Sequence, residues 1–264
     1  MMNPYRVNLN EEEAKYMLIV GGNFVYSITG ENELIEDFHM AKYPVTNKLY
    51  RRFINFLDSE VKFFSPLLTP GDYTKKLFKM AAGIEGFAEY LQRKTLVVDV
   101  LRSPCDNMVG FCEDDKPVVG VSWYAARAYC LWLSLLESDD EVTDLYRLPI
   151  EKEWEYVAAG KEGRKYPWGD EDLTPEYANY EINIGKTTPV KSYPQGATPT
   201  GVFGLAGNVS EWMENPDHQL SGNRPVRGGS WSGYPESLVC VWRDCDSPDL
   251  ETRHTGFRVV YQKA

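Results

Sequence analysis

The chain has 264 residues, of which 43% are hydrophobic, enough to bury the core of a globular domain. Its net charge of −11 excludes nucleic acid as an expected partner, because binding to phosphates requires a basic surface. No apolar run approaches the ~20 residues that span a membrane, and the first residues do not form the apolar core of a signal peptide. The five cysteines indicate neither a disulfide framework nor a zinc site. We expect buried or free thiols, with a single disulfide left open.

The first predicted elements in chain order are short strands and a helix. Residues 16–26 contain two apolar segments around Gly21-Gly22, and residues 38–45 contain a third. Thr46 is suited to cap a helix. Behind it, apolar residues recur at helical spacing: Tyr50, Phe53, Ile54 and Leu57.

Residues 58–117 show a less regular pattern. No linker-like composition separates them from the rest, so we expect an insertion on the same domain. Within it, Phe87–Gln92 predicts a helix and Leu96–Leu101 predicts a strand.

Two main helices are predicted in the middle of the chain. Ser122 caps the first, and its apolar stripe consists of Ala125, Ala128, Tyr129, Trp132, Leu133 and Leu136. The second begins after Pro149 and ends at Gly160. Its inward residues are expected to be Trp154, Val157 and Ala158. Its three glutamates, Glu151, Glu153 and Glu155, are expected on a solvated face.

Beyond Gly160 the composition changes to Gly, Pro, Asn, Ser and Trp, which predicts structured loops and short strands. A last strand is predicted over Phe257–Gln262. Two main helices on a small antiparallel sheet, followed by long structured loops, form an α+β plan. We expect residues 1–264 to form a single domain.

Several local motifs occur in an order that is similar to one family. They are Tyr43–Asn47, Pro117–Trp123, Arg147–Pro149, Glu153–Tyr156, Tyr166–Gly169, Gly207–Trp212, Arg227–Trp231 and Gly256–Arg258. Together they resemble the formylglycine-generating-enzyme/sulfatase-modifying-factor domain, over about residues 16–262. The resemblance implies a C-type-lectin-like fold. It also implies one of three functions: oxidation of cysteine to formylglycine, non-haem iron chemistry, or the display of a ligand-binding surface.

The oxidase function requires two cysteines that bind copper(I) upstream of a motif arginine. Cys240 and Cys245 have the family's five-residue spacing. Alignment on Arg243, however, places only Cys240 on an oxidase cysteine, while Cys245 falls beyond the arginine. Cys240 is therefore the one candidate catalytic residue of this alternative.

The family's calcium sites are only partly retained. Asn179 and Glu211 are the weak candidate ligands, whereas Gly204 and Ile182 stand where oxygen ligands are common. We expect Glu211 to accept hydrogen bonds from loop backbone instead. The iron function requires clustered histidines, but His39, His218 and His254 lie in three unrelated contexts.

The display function depends on the segment between Arg227 and Arg258. Framework residues there alternate with short blocks of unlike residues. The blocks contain Ser232, Gly233, Tyr234, Asp244, Cys245, Asp246, Ser247, Asp249, Leu250, His254 and Thr255. This pattern resembles the variable region of proteins diversified by retroelements, in which mutagenesis at template adenines recodes asparagine codons. Every block residue is reachable from an asparagine codon by changing its two adenines, although ordinary surface loops are the alternative. Trp231 and Trp242 are expected in the core or on a pocket floor.

The sequence therefore predicts a ligand-binding protein without enzymatic activity or cofactor. The implied partner is a protein or cell-surface ligand, which a monomer binds at the cell surface or after secretion. The alternative is a copper-dependent formylglycine-generating oxidase, with copper and calcium as cofactors.

Overall fold

A computed structural model describes residues 11–59, 68–137, 145–217, 219–220 and 222–262. The helices of these residues are α1 (Asn47–Asp58), α2 (Pro70–Ala81), α3 (Phe87–Leu91), α4 (Val97–Leu101), α5 (Trp123–Glu137) and α6 (Glu151–Ala159). The strands are β1 (Tyr16–Ile19), β2 (Gly22–Val25), β3 (Asn32–Ile35), β4 (Phe38–Ala41), β5 (Tyr146–Arg147), β6 (Ser210–Trp212), β7 (Arg224–Arg227), β8 (Arg243–Asp246), β9 (Thr255–Gly256) and β10 (Val260–Tyr261). None of the described helices has both the length and the apolar character needed to cross a bilayer.

The strands form three small sheets. The first has the order β1-β4-β10-β5 and is antiparallel throughout, and the second is the β2-β3 hairpin. The third has the order β8-β7-β6-β9, in which only β6 and β9 are parallel. The two strands predicted around Gly21-Gly22 are present, but they pair with different partners. Helices pack against these sheets, so the predicted α+β plan is confirmed.

The predicted caps begin two of the helices. The Thr46 hydroxyl accepts a hydrogen bond from the backbone N–H of Leu49, at the start of α1. The Ser122 hydroxyl accepts one from the N–H of Ala125, at the start of α5. Helix α5 exceeds the predicted apolar stripe, because its residues are buried without interruption from Trp123 to Leu135. It therefore runs through the core and is covered on all sides.

The insertion departs furthest from expectation. Helix α3 confirms the prediction over Phe87–Gln92, but the strand predicted over Leu96–Leu101 is wrong, since α4 occupies this stretch. A short run of β-branched and aliphatic residues suits a strand and a buried helix equally well. Here Val100 and Leu101 are buried against the core from a helix.

Helix α2 was not predicted, although its local signals are present. The Thr69 hydroxyl accepts from the N–H of Asp72, and Pro70 occupies the first turn. Its buried residues, Tyr73, Leu77 and Ala81, recur every four positions. The insertion is thus a helical layer packed on α1 and α5.

The third sheet positions the end of the chain. Helix α6 packs on β7, and β7 lies between β8 and β6. The last strand is shorter than predicted, since only Val260 and Tyr261 of Phe257–Gln262 pair, between β4 and β5. Phe257 is instead buried in the main core.

Candidate functional site

The C-terminal segment, defined here as Arg227–Arg258, is built on the third sheet. Strands β8 and β9 form opposite edges of this sheet. At ~4.8 Å per strand they are separated by about 14 Å. The predicted binding positions are therefore distributed over the width of the sheet and the loops that join its strands.

Most of the predicted binding residues are accessible. The exposed or partly exposed ones are Ser232, Gly233, Tyr234, Asp244, Cys245, Asp246, Ser247, Asp249, Leu250 and His254. Thr255 is only 3% exposed, because its backbone pairs with Ser210 in the sheet and its hydroxyl lies 3.1 Å from that of Thr252. The expectation that Thr255 belongs to an exposed binding face is wrong. Ligand binding by the accessible positions stays a prediction.

Ser232 and His254 contact each other at the surface. The Ser232 hydroxyl lies 2.9 Å from Nδ1 of His254, and the imidazole stacks on Trp231 with ring centroids 4.9 Å apart. Trp231 is buried, as predicted, whereas Trp242 is only half-buried. Burial and the neighbouring Arg253 lower the pKa of His254, so its ring is neutral at pH 7.

Arg227, the first residue of the segment, is fully buried and contacts several parts of the chain. Its guanidinium donates to the backbone carbonyls of Val241 at 3.0 Å and Trp242 at 2.8 Å. It also donates to the carboxylate of Glu155 on α6, and its Nε lies 3.6 Å from Glu151. These contacts fix the turn that leads into β8.

The three glutamates of α6 are buried, so the expected solvated face is wrong. Each carboxylate is paired with an arginine, and the partners of Glu151 and Glu155 come from the C-terminal segment. The pairs are Glu151 with Arg243 at 2.9 Å, Glu153 with Arg147 at 2.6 Å, and Glu155 with Arg227. A buried carboxylate is tolerated only with such compensation. One face of α6 therefore holds the C-terminal segment through charge.

Arg243 extends this network toward the surface. It contacts both oxygens of Glu151, and it lies 2.5 Å from a carboxylate oxygen of Asp217. Burial raises the pKa of Asp217, but the N–H groups of Leu220 and Gln219 and the guanidinium hold that pKa below its usual range. The start of β8 is thus fixed by charge-assisted hydrogen bonds.

Glu211 lies in a second buried pair. Its carboxylate accepts from Nε and Nη2 of Arg258 at 2.7 and 2.6 Å, and from the indole N–H of Trp154 at 2.9 Å. Arg258 also donates to the carbonyls of Ala41 and Phe203. The expectation that Glu211 satisfies loop backbone is therefore wrong, because a guanidinium and an indole occupy its oxygens.

The weak calcium candidates, Asn179 and Glu211, each have hydrogen-bond partners within the protein. Asn179 is buried and donates to the carbonyl of Lys186 at 2.9 Å and to Oδ1 of Asn208 at 3.2 Å. Glu211 is neutralised by Arg258 and does not suit a cation. Among the described residues, no three His, Cys, Asp or Glu side chains are grouped as metal ligands.

The histidines are also separate. His39 lies on β4, with its ring 5.9 Å from that of Tyr261, and His254 lies beside Trp231. His218 lies outside the described residues. An iron site built on described histidines is therefore not supported.

The two cysteines of the oxidase alternative occupy different environments. Cys240 is 1% exposed within the apolar cluster around Trp154, and burial raises the pKa of its thiol to about 12. Cys245 is half-buried on the edge strand β8, where its sulfur lies 3.7 Å from Nδ2 of Asn223. All five cysteines are free thiols. The Cys240 environment opposes the thiolate that copper(I) would require.

We expect Cys240 to resist alkylation in the folded protein. At pH 8 a thiol of pKa about 12 is ionised in only about one molecule in ten thousand, and its sulfur is enclosed. The measurement is peptide mapping after iodoacetamide treatment at pH 8, with the half-buried Cys112 and Cys245 as internal references. Labelling of Cys240 as fast as Cys245 would contradict the buried environment, and labelling in urea confirms that the residue is detectable.

The insertion holds the far end of the C-terminal segment. Tyr90 of α3 donates to Glu251 at 3.0 Å, and Arg93 lies 2.6 Å from Asp249. Just beyond the insertion, the N–H of Gly120 also donates to the carbonyl of Thr252, at 2.8 Å. The loop after β8 therefore packs on the insertion. The beginning of the C-terminal segment, by contrast, is bound to α6.

The residues that position the segment were missed by the sequence analysis. Glu151 and Glu155 have no local signal that distinguishes them from surface carboxylates, and Glu211 was assigned loop backbone as its partner in place of Arg258. A usable signal was the presence of Arg227 and Arg258 among small and apolar residues, because a buried arginine needs a carboxylate partner.

Solved structures of other proteins share this architecture. CarF superposes with a TM-score of 0.64 at 19% identity, over 96% of this chain and 100% of that chain. Treponema denticola variable protein 1 superposes with a TM-score of 0.59 at 20% identity, over 94% of this chain and 95% of that chain. The fold is thus of the C-type-lectin-like class found in formylglycine-generating-enzyme relatives.

The family model described as sulfatase-modifying factor enzyme 1-like domain matches residues 5–263, and the chain belongs to this family. Serine/threonine-protein kinase Pkn1 of Chlamydia trachomatis is 29% identical over 247 residues, 86% of this chain and 33% of that protein. Hercynine oxygenase of Mycobacterium tuberculosis is 32% identical over 176 residues, 58% of this chain and 39% of that protein. Formylglycine-generating enzyme of Mus musculus is 26% identical over 260 residues, 85% of this chain and 66% of that protein. The chain spans about a third of the length of its kinase relative.

Proposed function

We propose that the chain is a non-enzymatic ligand-binding protein whose C-terminal segment displays the binding residues. The observation that supports this best is that one set of residues, buried, holds the backbone of the segment in place, whereas a different set has exposed side chains. Arg227 and Arg258, the two ends of the segment, are fully buried in ion pairs, whereas Tyr234 is 73% and Leu250 39% exposed. Exposed side chains can then change without unfolding the domain, as in other loop-based recognition proteins.

The proposal includes diversification of the segment by a retroelement. Its support is the codon pattern, since every block residue can arise from an asparagine codon through changes at adenines. The likeness to the Treponema variable protein, at 20% identity, adds a common fold and nothing about binding. Comparison of the 3′ end of the gene with a near-repeat beside it tests this part. Differences away from template adenines would contradict it.

The proposed partner is a protein or another cell-surface ligand, which a monomer binds at the cell surface or after secretion. The net charge of −11 opposes nucleic acid as the ligand. No cofactor is needed for such binding.

The competing function is a copper-dependent formylglycine-generating oxidase, with copper and calcium as cofactors. Its support is the family itself and the similarity to the mouse enzyme. The enclosed thiol of Cys240 and the guanidinium on Glu211 favour the display function instead.

Two assays on the whole chain separate these functions: copper(I) titration against a chromophoric chelator, and mass spectrometry of a cysteine-containing sulfatase peptide. We expect no conversion of the peptide, and the same copper affinity for the wild type and Cys240→Ala. Conversion by the wild type that is lost in Cys240→Ala would overturn the display function.

The display function also predicts tolerance at exposed positions. We expect the triple substitution Tyr234→Asn, Asp244→Asn and Leu250→Asn to change the free energy of unfolding by only about 0.5 kcal/mol per site, because these side chains face solvent. The matched control is Thr255→Asn, which places a larger polar group in a buried position and should cost about 1–3 kcal/mol. Urea denaturation followed by tryptophan fluorescence measures both. A large loss in the triple variant would contradict the proposed tolerance.

A further inference from the structure

Three loops that meet near Trp231 of the C-terminal segment carry exposed apolar side chains. We define the Tyr234 surface as Val109, Ile182, Ile184 and Tyr234, whose side chains are 90%, 62%, 46% and 73% exposed. Only Tyr234 belongs to the C-terminal segment. The other three come from loops that the sequence analysis did not associate with binding.

Backbone hydrogen bonds join the second loop to the C-terminal segment. The N–H of Glu181 donates to the carbonyl of Gly233 at 2.9 Å, and the N–H of Ile182 donates to the carbonyl of Trp231 at 2.9 Å. The two stretches thus run side by side in opposite directions. Ile182 is therefore held beside the segment that presents Tyr234.

The first loop is joined to the same region through aromatic and backbone contacts. Phe111 follows Val109 by two residues, and its ring centroid lies 5.7 Å from that of Trp231. The Thr187 hydroxyl lies 3.4 Å from the carbonyl of Gly110. All three loops therefore meet around Trp231.

The backbone of the second loop is strained where it presents its side chain. Glu181 and Ile182 have φ values of 49° and 59°, two consecutive left-handed residues that are not glycine. This conformation is rare for a β-branched residue and favours glycine or asparagine. Strain of this kind persists at positions where the side chain serves a function. The exposed side chain of Ile182, in a position that favours glycine, is therefore a candidate contact residue.

Charges border the surface in a definite order. Lys186 packs on Gly110, and the Arg253 guanidinium lies 5.9 Å from the Trp231 ring, so two exposed cations lie at the Trp231 end. Two exposed acidic residues lie at the Gly233 and Tyr234 end, since the N–H of Glu181 donates to the carbonyl of Gly233 and Glu236 follows Tyr234 by two residues. The surface is thus apolar in the middle, with positive charge toward one end and negative charge toward the other.

We infer that the Tyr234 surface binds an extended peptide segment of a protein partner, an inference that rests on the proposed function. Apolar residues of the peptide cover Ile182 and Tyr234, a carboxylate lies toward Lys186 and Arg253, and a basic residue lies toward Glu181. This order of charges is complementary to that of the surface. Sugars fit less well, since three of the four apolar side chains offer no hydrogen-bonding group to hydroxyls.

The test uses a phage-displayed library of random twelve-residue peptides, selected on the whole chain. We expect enriched peptides to contain apolar residues with a carboxylate on one side and a basic residue on the other. One enriched peptide is then synthesised, and its affinity is measured for the wild type and for single variants. Ile182→Gly is expected to bind at least tenfold more weakly while its thermal midpoint rises, because glycine relieves the strained backbone. The matched control, Val25→Gly, removes a 66% exposed valine from β2 and should leave peptide affinity unchanged.

Charge reversal provides an independent readout. Lys186→Glu should weaken the peptide by several-fold, and a peptide whose carboxylate is changed to lysine should recover the loss. Unchanged affinity in Ile182→Gly overturns the inference, and so does enrichment on a glycan array in place of any peptide. Tyr234→Ala distinguishes the proposed function from the peptide-binding inference. If Tyr234→Ala abolishes binding while Ile182→Gly does not, the proposed function stands and the inference about the Tyr234 surface fails. If neither variant affects binding, both fail.

Discussion

Replacing Glu211 with glutamine is expected to lower the free energy of unfolding by about 3–5 kcal/mol. Glu211 and Arg258 are both fully buried, and two hydrogen bonds of 2.6 and 2.7 Å join them. Glutamine keeps the shape but removes the charge, and its amide group turns a donor toward the guanidinium. The arginine is then buried without a negative charge beside it. Urea denaturation, followed by circular dichroism, measures the effect.

The matched control is Glu33→Gln, which breaks the partly exposed pair with Lys152. That pair is 3.0 Å long, with both side chains about one-third exposed, so its loss should cost less than ~1 kcal/mol. The double variant Glu211→Gln, Arg258→Met should be less destabilised than the sum of its single variants, because no unpaired charge is left. A cost below about 1 kcal/mol for Glu211→Gln would show that this pair does not stabilise the core.

The elements predicted correctly are those with local signals. Helices α1 and α5 follow cap residues, Thr46 and Ser122, whose hydroxyls do bind the first turn. Helix α6 ends at Gly160, whose φ of 66° favours glycine. Caps and turns depend on residues within a few positions, so a single sequence contains what is needed to predict them.

The burial of the α6 glutamates could not be predicted from residues close to them in the chain. Glu155 and Arg227 are separated by 72 residues, and Glu151 and Arg243 by 92. Nothing local distinguishes these glutamates from solvated ones, because the desolvation that shapes their environment arises only when the chain folds. Charged side chains are usually exposed, and the prediction that the α6 glutamates face solvent depended on this frequency. It was wrong because two of these glutamates bind the arginines that position the segment.

The candidate site was predicted in part for the same reason. The C-terminal segment was identified from its resemblance to the variable region of retroelement-diversified proteins, and most of its block residues are accessible. Thr255 was misassigned because its burial results from pairing between β9 and β6, which the sequence does not specify. The strained Ile182 was considered only as a missing calcium ligand, since its positive φ is set by bonds to distant loops.

Arg227→Met is expected to destabilise the protein by about 3–5 kcal/mol and to loosen the segment locally. The substitution leaves Glu155 buried with only the Ser27 hydroxyl and N–H as donors, and it frees the carbonyls of Val241 and Trp242. Hydrogen exchange of the wild type and variant, measured below the unfolding transition, should then show faster exchange in β8 than in α5.

Arg227→Lys separates the role of charge from that of geometry at this position. A lysine keeps the positive charge for Glu155, but its ammonium cannot reproduce the planar set of donors that spans the carboxylate and the carbonyls of Val241 and Trp242. We therefore expect partial recovery of stability, with β8 still exchanging faster than in the wild type. Arg253→Met, which removes an exposed arginine, is the control and should change the free energy of unfolding by less than about 0.5 kcal/mol. Full recovery of slow exchange in Arg227→Lys would mean that charge alone fixes the segment. Faster exchange spread evenly over α5 and β8 would mean that Arg227 stabilises the whole domain and has no particular role in presenting the binding residues.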